Sequence, residues 1–191
     1  MKTVSQRGVT LIETVVALAL IAILASLAQF GFSDWTINSR IRTTAESLQN
    51  GVQMARVLAV QRNTPMNFSL VDTLTADCAR ATDGRNWIIS LDNPEGKCDA
   101  APSDSTTPRI QQARPAAEVG GAVSIAATVS NVAFSGLGRP SGPLTIDVQG
   151  ATGSCLPQGS VRCLRMMLSA SGSVRICDPS LDSAGSDIRR C

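Results

Sequence analysis

Residues 7–32 read Arg7-Gly8-Val9-Thr10-Leu11-Ile12-Glu13, followed by TVVALALIAILASLAQFGF as far as Phe32. From Val9 to Ala28 the only polar side chains are Thr10, Glu13, Thr14 and Ser26. About twenty residues of α-helix rise about 30 Å, the thickness of a bilayer's hydrocarbon core. Lys2 and Arg7 stand in front of this run and place its N-terminal end on the cytoplasmic side. A secretory signal has a shorter apolar core followed by a small-residue cleavage site. No such site leads out of this run, and helical patterning continues beyond it. A plain membrane anchor leaves Glu13 unexplained, because a carboxylate in hydrocarbon costs about 2.5–3.5 kcal/mol or more. A cut after Gly8 would give Val9 a new α-amine one helical turn before Glu13, on the same face. Amine and carboxylate, displaced by that turn, neutralise each other between neighbouring helices. The stretch therefore predicts both a cut between Gly8 and Val9 and an assembly through Glu13.

Beyond the run the pattern becomes amphipathic. Ile37, Ile41, Leu48, Val52, Ala55 and Ala59 trace one helical stripe, with Arg40, Arg42, Glu46, Gln49, Gln53 and Arg56 on other faces. The helix is expected from about Val9 to about Arg62, some 80 Å at 1.5 Å per residue. Gly31 and Gly51 are weak points in it, and Pro65 ends it. Arg40, Arg42, Arg56 and Arg62 read as a solvated face.

After Pro65 short runs are bounded by Gly, Pro, Asn and Asp. Candidate strands are residues 66–71, 86–91, 123–129, 131–135, 144–149, 162–169 and 173–177. Residues 72–84 and 92–121 read as long surface loops. The fold class is α+β: a long N-terminal helix, transmembrane and then amphipathic, packed on a C-terminal antiparallel β-sheet or sandwich. The expected division is a leader at 1–8, a membrane and filament-core half-helix at 9–33, an amphipathic half at 34–63 and a β domain at 64–191.

Composition narrows the function. The chain of 191 residues has no His, so the commonest general base and metal ligand are missing. No catalytic constellation, cofactor site or metal site is expected, and the chain does not read as an enzyme. Net charge is +2, and without Lys2 and Arg7 the 17 basic residues fall to match the 15 acidic ones. Such a chain has no global field for nucleic acid. The six cysteines, Cys78, Cys98, Cys155, Cys163, Cys177 and Cys191, follow an export-type N-terminus and point to disulfides in an oxidising compartment. Spacing leaves the connectivity open. The expected scheme joins neighbours, Cys78–Cys98, Cys155–Cys163 and Cys177–Cys191, each closing a turn-rich loop.

Arg7-Gly8-Val9-Thr10-Leu11-Ile12-Glu13 resembles the prepilin signature of type IV pilins and type II secretion pseudopilins, with Val9 where Phe is usual. The resemblance implies cleavage after Gly8 by a prepilin peptidase, N-methylation of Val9, and subunit recruitment through Glu13. Leu48 to Asn63, Asn86-Trp87 to Leu91-Asp92, and Cys163 to Asp178-Pro179 are similar to the GspH/FimT/FimU group of minor pilins and pseudopilins. The implied protein is a minor pilin. It would sit in the inner membrane with its β domain in the periplasm, then in a pilus with major and minor pilins. There it would act at the tip and help initiate assembly. The alternatives are a GspH-like secretion pseudopilin and a FimT-like DNA receptor. The Cys-closed tail, Cys177 to Cys191, looks more like a pilus component.

Some FimT-like proteins bind DNA through a Gly-Arg-x-Arg motif in the closing hairpin. The matching residues, Gly172-Ser173-Val174-Arg175, lack its first arginine. Arg175, Arg189 and Arg190 would carry any DNA binding, although a solvated strand end and tail is the preferred reading. Asp92-Asn93-Pro94-Glu95-Gly96 lacks the ligand series of a calcium loop and reads as a turn. Residues 136–142 (GLGRPSG) lack the Lys-Ser/Thr of a phosphate loop and read as a hairpin turn.

Overall fold

A computed structural model describes residues 10–115, 122–152, 154–181 and 186–191, with the side chains at 25–32 and 115 outside that description. Among these residues one helix, α1 (Leu11–Arg62), is followed by eight strands: β1 (Met66–Val71), β2 (Asn86–Ser90), β3 (Ile110–Pro115), β4 (Val123–Ala127), β5 (Asn131–Phe134), β6 (Leu144–Gly150), β7 (Leu164–Leu168) and β8 (Val174–Cys177). The chain divides into two compact units, the first ending at Thr36 and the second beginning at Ile37.

In the unit from Ile37 onward, Ile41, Ala45, Leu48, Val52, Ala55 and Ala59 are fully buried. Their spacing of three or four residues puts them on one face of α1. Gly51 lies on that face as well. A Cβ there would come within 2.9 Å of the Phe68 ring and 3.0 Å of the Trp87 ring. A residue expected to weaken the helix is therefore what lets it approach the aromatic pair. The indole Nε1 of Trp87 donates to Ser47 Oγ at 3.3 Å, so the ring is fixed at its polar end as well.

The helix stops by a defined cap. Asn63 takes a left-handed φ of 49°; its N–H donates to Val60 O, and Thr64 N–H donates to Ala59 O. This is the Schellman pattern, with Asn in place of the usual Gly. Pro65 follows and bars continuation.

The strands form two antiparallel sheets, ordered β3-β2-β1-β5 and β4-β6-β7-β8. Phe68, Leu70, Trp87, Ile89, Val132 and Phe134 from the first share one core with Val123, Ile125, Leu144, Ile146, Val148, Met166 and Leu168 from the second, and with the α1 stripe. The first sheet is buried on its other face too. There Val71, Ile88 and Ile110 form a smaller core with the bonded pair Cys78 and Cys98.

One expectation needs correction. Residues 92–121 are not one irregular stretch, because β3 lies within them and pairs with β2, Ala113 opposite Ile88 and Gln112 opposite Ile89. An edge strand needs apolar residues on one face only. Ile110-Gln111-Gln112-Ala113, close to Pro108 and Pro115, offers too few to stand out. Arg42, Arg56 and Arg62 are exposed, as expected of a solvated face. Arg42 pairs with Glu46 on the surface, but Arg56 donates to Gly172 O at 2.8 Å and Arg62 pairs with Asp104. Both reach residues of the β region.

Candidate assembly site and C-terminal arginines

Thr10 opens α1 as its N-cap. Its hydroxyl oxygen accepts from Glu13 N–H at 3.4 Å, and its carbonyl accepts from Glu13 and Thr14 N–H. Thr10 and Glu13 thus hold the T-x-x-E spacing of a capping box, and Glu13 lies where the helix dipole favours a negative charge. This local role for the acid is readable from Thr10-Leu11-Ile12-Glu13 and is distinct from the assembly role expected of it. Gly8 and Val9, the expected cleavage and methylation positions, lie outside the described residues.

From Thr10 to Leu24 every side chain is exposed. Leu11 is 81% exposed, Leu18 66% and Leu24 66%. A helix apolar on all sides needs lipid or other helices around it. The expected span from Val9 to Ala28 crosses both limits of the described side chains. Among the described residues, no helix is long and apolar enough to cross a membrane.

At the other end of the chain, Cys177 is bonded to Cys191, and Cys155 to Cys163. Asp178 N–H donates to Arg189 O at 2.7 Å, which lays the tail beside the end of β8. Arg175 Nη2 donates to the Cys191 carbonyl at 2.9 Å. Arg175, Arg190 and Cys191 line one recess of about 410 Å³ together with Ser186, Asp187 and Ile188. Arg189 is turned to Asp187 instead, in a two-point pair at 2.6 and 3.1 Å. Hydrogen bonds from the Arg189 side chain and backbone hold the Asp187 carboxyl down at about 2, helped by the charge of Arg162. Arg162 also pairs with the buried Asp178 at 3.4 Å. The three sequence-selected arginines are thus close together, but carboxylates are interleaved with them.

In the loops considered for metal, Asp92 is held by Arg109 at 2.7 and 2.8 Å, and Glu95 by Arg80 at 3.1 Å. The Asn93 amide also donates to Glu95 at 2.7 Å. That bond leads the effects that lower the Glu95 carboxyl to about 2. Among the described residues, no group of three or more potential metal ligands comes together.

The family described as type II transport protein GspH matches residues 44–172, more than half of the chain. The chain belongs to the GspH family. The prokaryotic N-terminal methylation motif matches residues 4–29 of this GspH-family chain. No curated protein matches it. Among solved structures, the type IV minor pilin FimU of Pseudomonas aeruginosa is 13% identical with a TM-score of 0.52, over 74% of this chain and 91% of that one. The minor pseudopilin EpsH of the Vibrio cholerae type 2 secretion system is 11% identical (TM-score 0.48), over 74% and 99% of the two chains. Escherichia coli GspH is 14% identical (TM-score 0.45), over 78% and 94%. FimU shows a shared fold and nothing finer. The GspH-family chain is thus a structural protein of the pilin and pseudopilin class, not an enzyme. Members of that class assemble with other pilins in a pilus or pseudopilus.

Three residues that bear on this assembly class were not selected from sequence. Thr10 caps the helix at the acid, Gly51 allows the helix to meet the aromatic pair, and Arg56 ties the helix to the closing hairpin. Only Thr10 carried a readable signal.

Proposed function

We propose that the chain is a minor pilin of a type IV pilus, made as a prepilin. A prepilin peptidase cuts between Gly8 and Val9 and methylates Val9. The segment 9–33 crosses the inner membrane and later enters the filament core. The segment 34–63 carries the β domain, 64–191, in the periplasm and then on the pilus at the cell surface. The protein joins major and minor pilins, acts at the tip and helps initiate assembly. One observation carries this reading: an apolar helix, exposed on every side from Leu11 to Leu24, begins with a capped turn holding one carboxylate, Glu13. Such a surface calls for lipid first and helices of other subunits later.

Two measurements test it. The intact mass of the mature chain is expected to lack residues 1–8. Glu13→Val is expected to insert in the membrane normally but to be depleted from sheared filaments. A mature mass that retains the leader, or normal filament content in Glu13→Val, would defeat the reading.

A second reading is a type II secretion pseudopilin, favoured by the description of the matching family. Deletion of the gene separates the two: loss of surface pili supports the first, and retention of exoproteins in the periplasm supports the second. DNA reception through Arg175, Arg189 and Arg190 is less favoured, because Asp187 already engages Arg189 itself and Asp178 engages the neighbouring Arg162. Duplex DNA is expected to bind no tighter than the nonspecific range, about 10⁻⁴–10⁻⁶ M at physiological salt.

A further inference from the structure

The chain has only six aromatic residues, four Phe and two Trp. Phe68, Phe134 and Trp87 are in the core, at 1%, 0% and 4% exposure. The other three, Phe30, Phe32 and Trp35, fall within one six-residue window at the C-terminal end of the apolar run. Trp35 is 65% exposed and belongs to the N-terminal unit, which ends at Thr36. Core packing accounts for the first three aromatics but not for Trp35.

We propose that Trp35 is a membrane-interface anchor whose indole lies in the phospholipid headgroup layer on the periplasmic side. The proposal rests on the membrane-inserted form described above. From Leu11 to Trp35 an α-helix rises about 36 Å, or about 34 Å along the bilayer normal at a tilt of about 20°. The hydrocarbon layer is about 30 Å thick and the whole bilayer about 40–45 Å. With Leu11 at the inner hydrocarbon edge, Trp35 lies a few ångströms beyond the outer one, within the headgroups. Indole suits that layer because its ring is apolar and its N–H needs a polar partner. The residues that follow include Asn38, Ser39, Arg40 and Arg42, which suit water and phosphate rather than hydrocarbon. The ligand is thus the glycerol and phosphate zone of a phospholipid layer.

The two tryptophans make the test direct. The full-length chain is reconstituted into phosphatidylcholine–phosphatidylglycerol vesicles whose acyl chains carry bromine either near the headgroup or near the chain end. Trp35 fluorescence is expected to be quenched about twofold more by the shallow bromines than by the deep ones, as a headgroup-level position requires. Trp35→Phe should abolish the quenching, because Trp87 is enclosed in protein. Leu18→Trp in the Trp35→Phe background marks the middle of the run and should show the opposite order. Deep quenching of Leu18→Trp with no quenching of Trp35, or with Trp35 also quenched more by deep bromines, overturns the anchor and leaves the membrane-inserted form standing. Absence of quenching at both positions overturns both.

Discussion

Leu11–Leu24 and Ile41–Ala59 belong to one helix, and both are rich in Leu, Ile, Val and Ala. In the first stretch every side chain is exposed; in the second, six apolar residues at helical spacing are fully buried and the residues between them largely face outward. The difference is one of arrangement. Apolar residues on all sides leave no polar face for water, so the first stretch is fitted to a nonaqueous surrounding. Apolar residues on one stripe with Arg, Gln and Glu elsewhere fit a helix that covers a sheet. The same residue types therefore serve two solvents, and the spacing decides which.

The largest expected effect separates the two stretches directly. Leu48→Ala removes a fully buried side chain and is expected to destabilise the β-containing unit by about 2–5 kcal/mol. Leu18→Ala is expected to change it by no more than about 0.5 kcal/mol. Denaturant titration of the full chain in detergent, followed by Trp87 fluorescence in a Trp35→Phe background, measures both. Equal losses would break the comparison. Gly51→Ala comes next. Its new methyl would press on the Phe68 and Trp87 rings at 2.9–3.0 Å, and overpacking of this kind costs about 1–3 kcal/mol. That outweighs the gain of up to about 1 kcal/mol in helix propensity. A stabilised Gly51→Ala protein would show that the helix has room to move off the rings. At the end of the second stretch, Asn63→Ala is expected to cost about 1 kcal/mol, because Ala is strained at positive φ, while Asn63→Gly should be close to neutral. Thermal melts of the two variants, run side by side, would show the cap to be unimportant if they coincide.

The smallest effect belongs to the C-terminal tail, which is held by charge as well as by its disulfide. The Asp187 carboxyl titrates at about 2, below its ordinary 3.8. Its pairing with Arg189 is therefore fully present above about pH 4 and is lost as pH falls through about 2. Because the pair is exposed, the effect is small and weakened by salt. In Asp187→Asn the acid-side change in the NMR signals of Arg189 should disappear; its persistence would assign the titration to another group.

The sequence disclosed those features whose physical cause is periodic or local. The α1 stripe was legible because helical burial repeats every three or four residues, although Ala45, a small residue beside Thr44, was passed over. Most strands were legible between turn residues. β3 was not, because its place at the sheet edge is set by pairing with β2 rather than by its own apolar content. Gly51 was read from its intrinsic cost in a helix, whereas its value lies in contacts with Phe68 and Trp87, far away in the chain. For the same reason the reach of Arg56 to Gly172, 116 residues on, left no trace in local pattern. The proposed cleavage positions Gly8 and Val9 are legible as chemistry, and Glu13 as an acid in an apolar run that also stands at capping-box spacing from Thr10.

The strand order has a consequence in time. β4 pairs in the second sheet and β5 in the first, so the chain changes sheets at β4, returns for β5, and leaves again for β6. As the protein emerges N-terminus first, β1 finds β2 early but waits about sixty residues for β5. Throughout that interval one edge of β1 offers unpaired backbone groups to any passing strand. The first sheet lacks β5 and the second has only β4 at that point, so a chain halted between β4 and β5 has no finished half to fall back on. The vulnerable moment in the life of this protein is thus its arrival, before β5 has docked. Holding factors that delay strand pairing would have their largest effect on yield there.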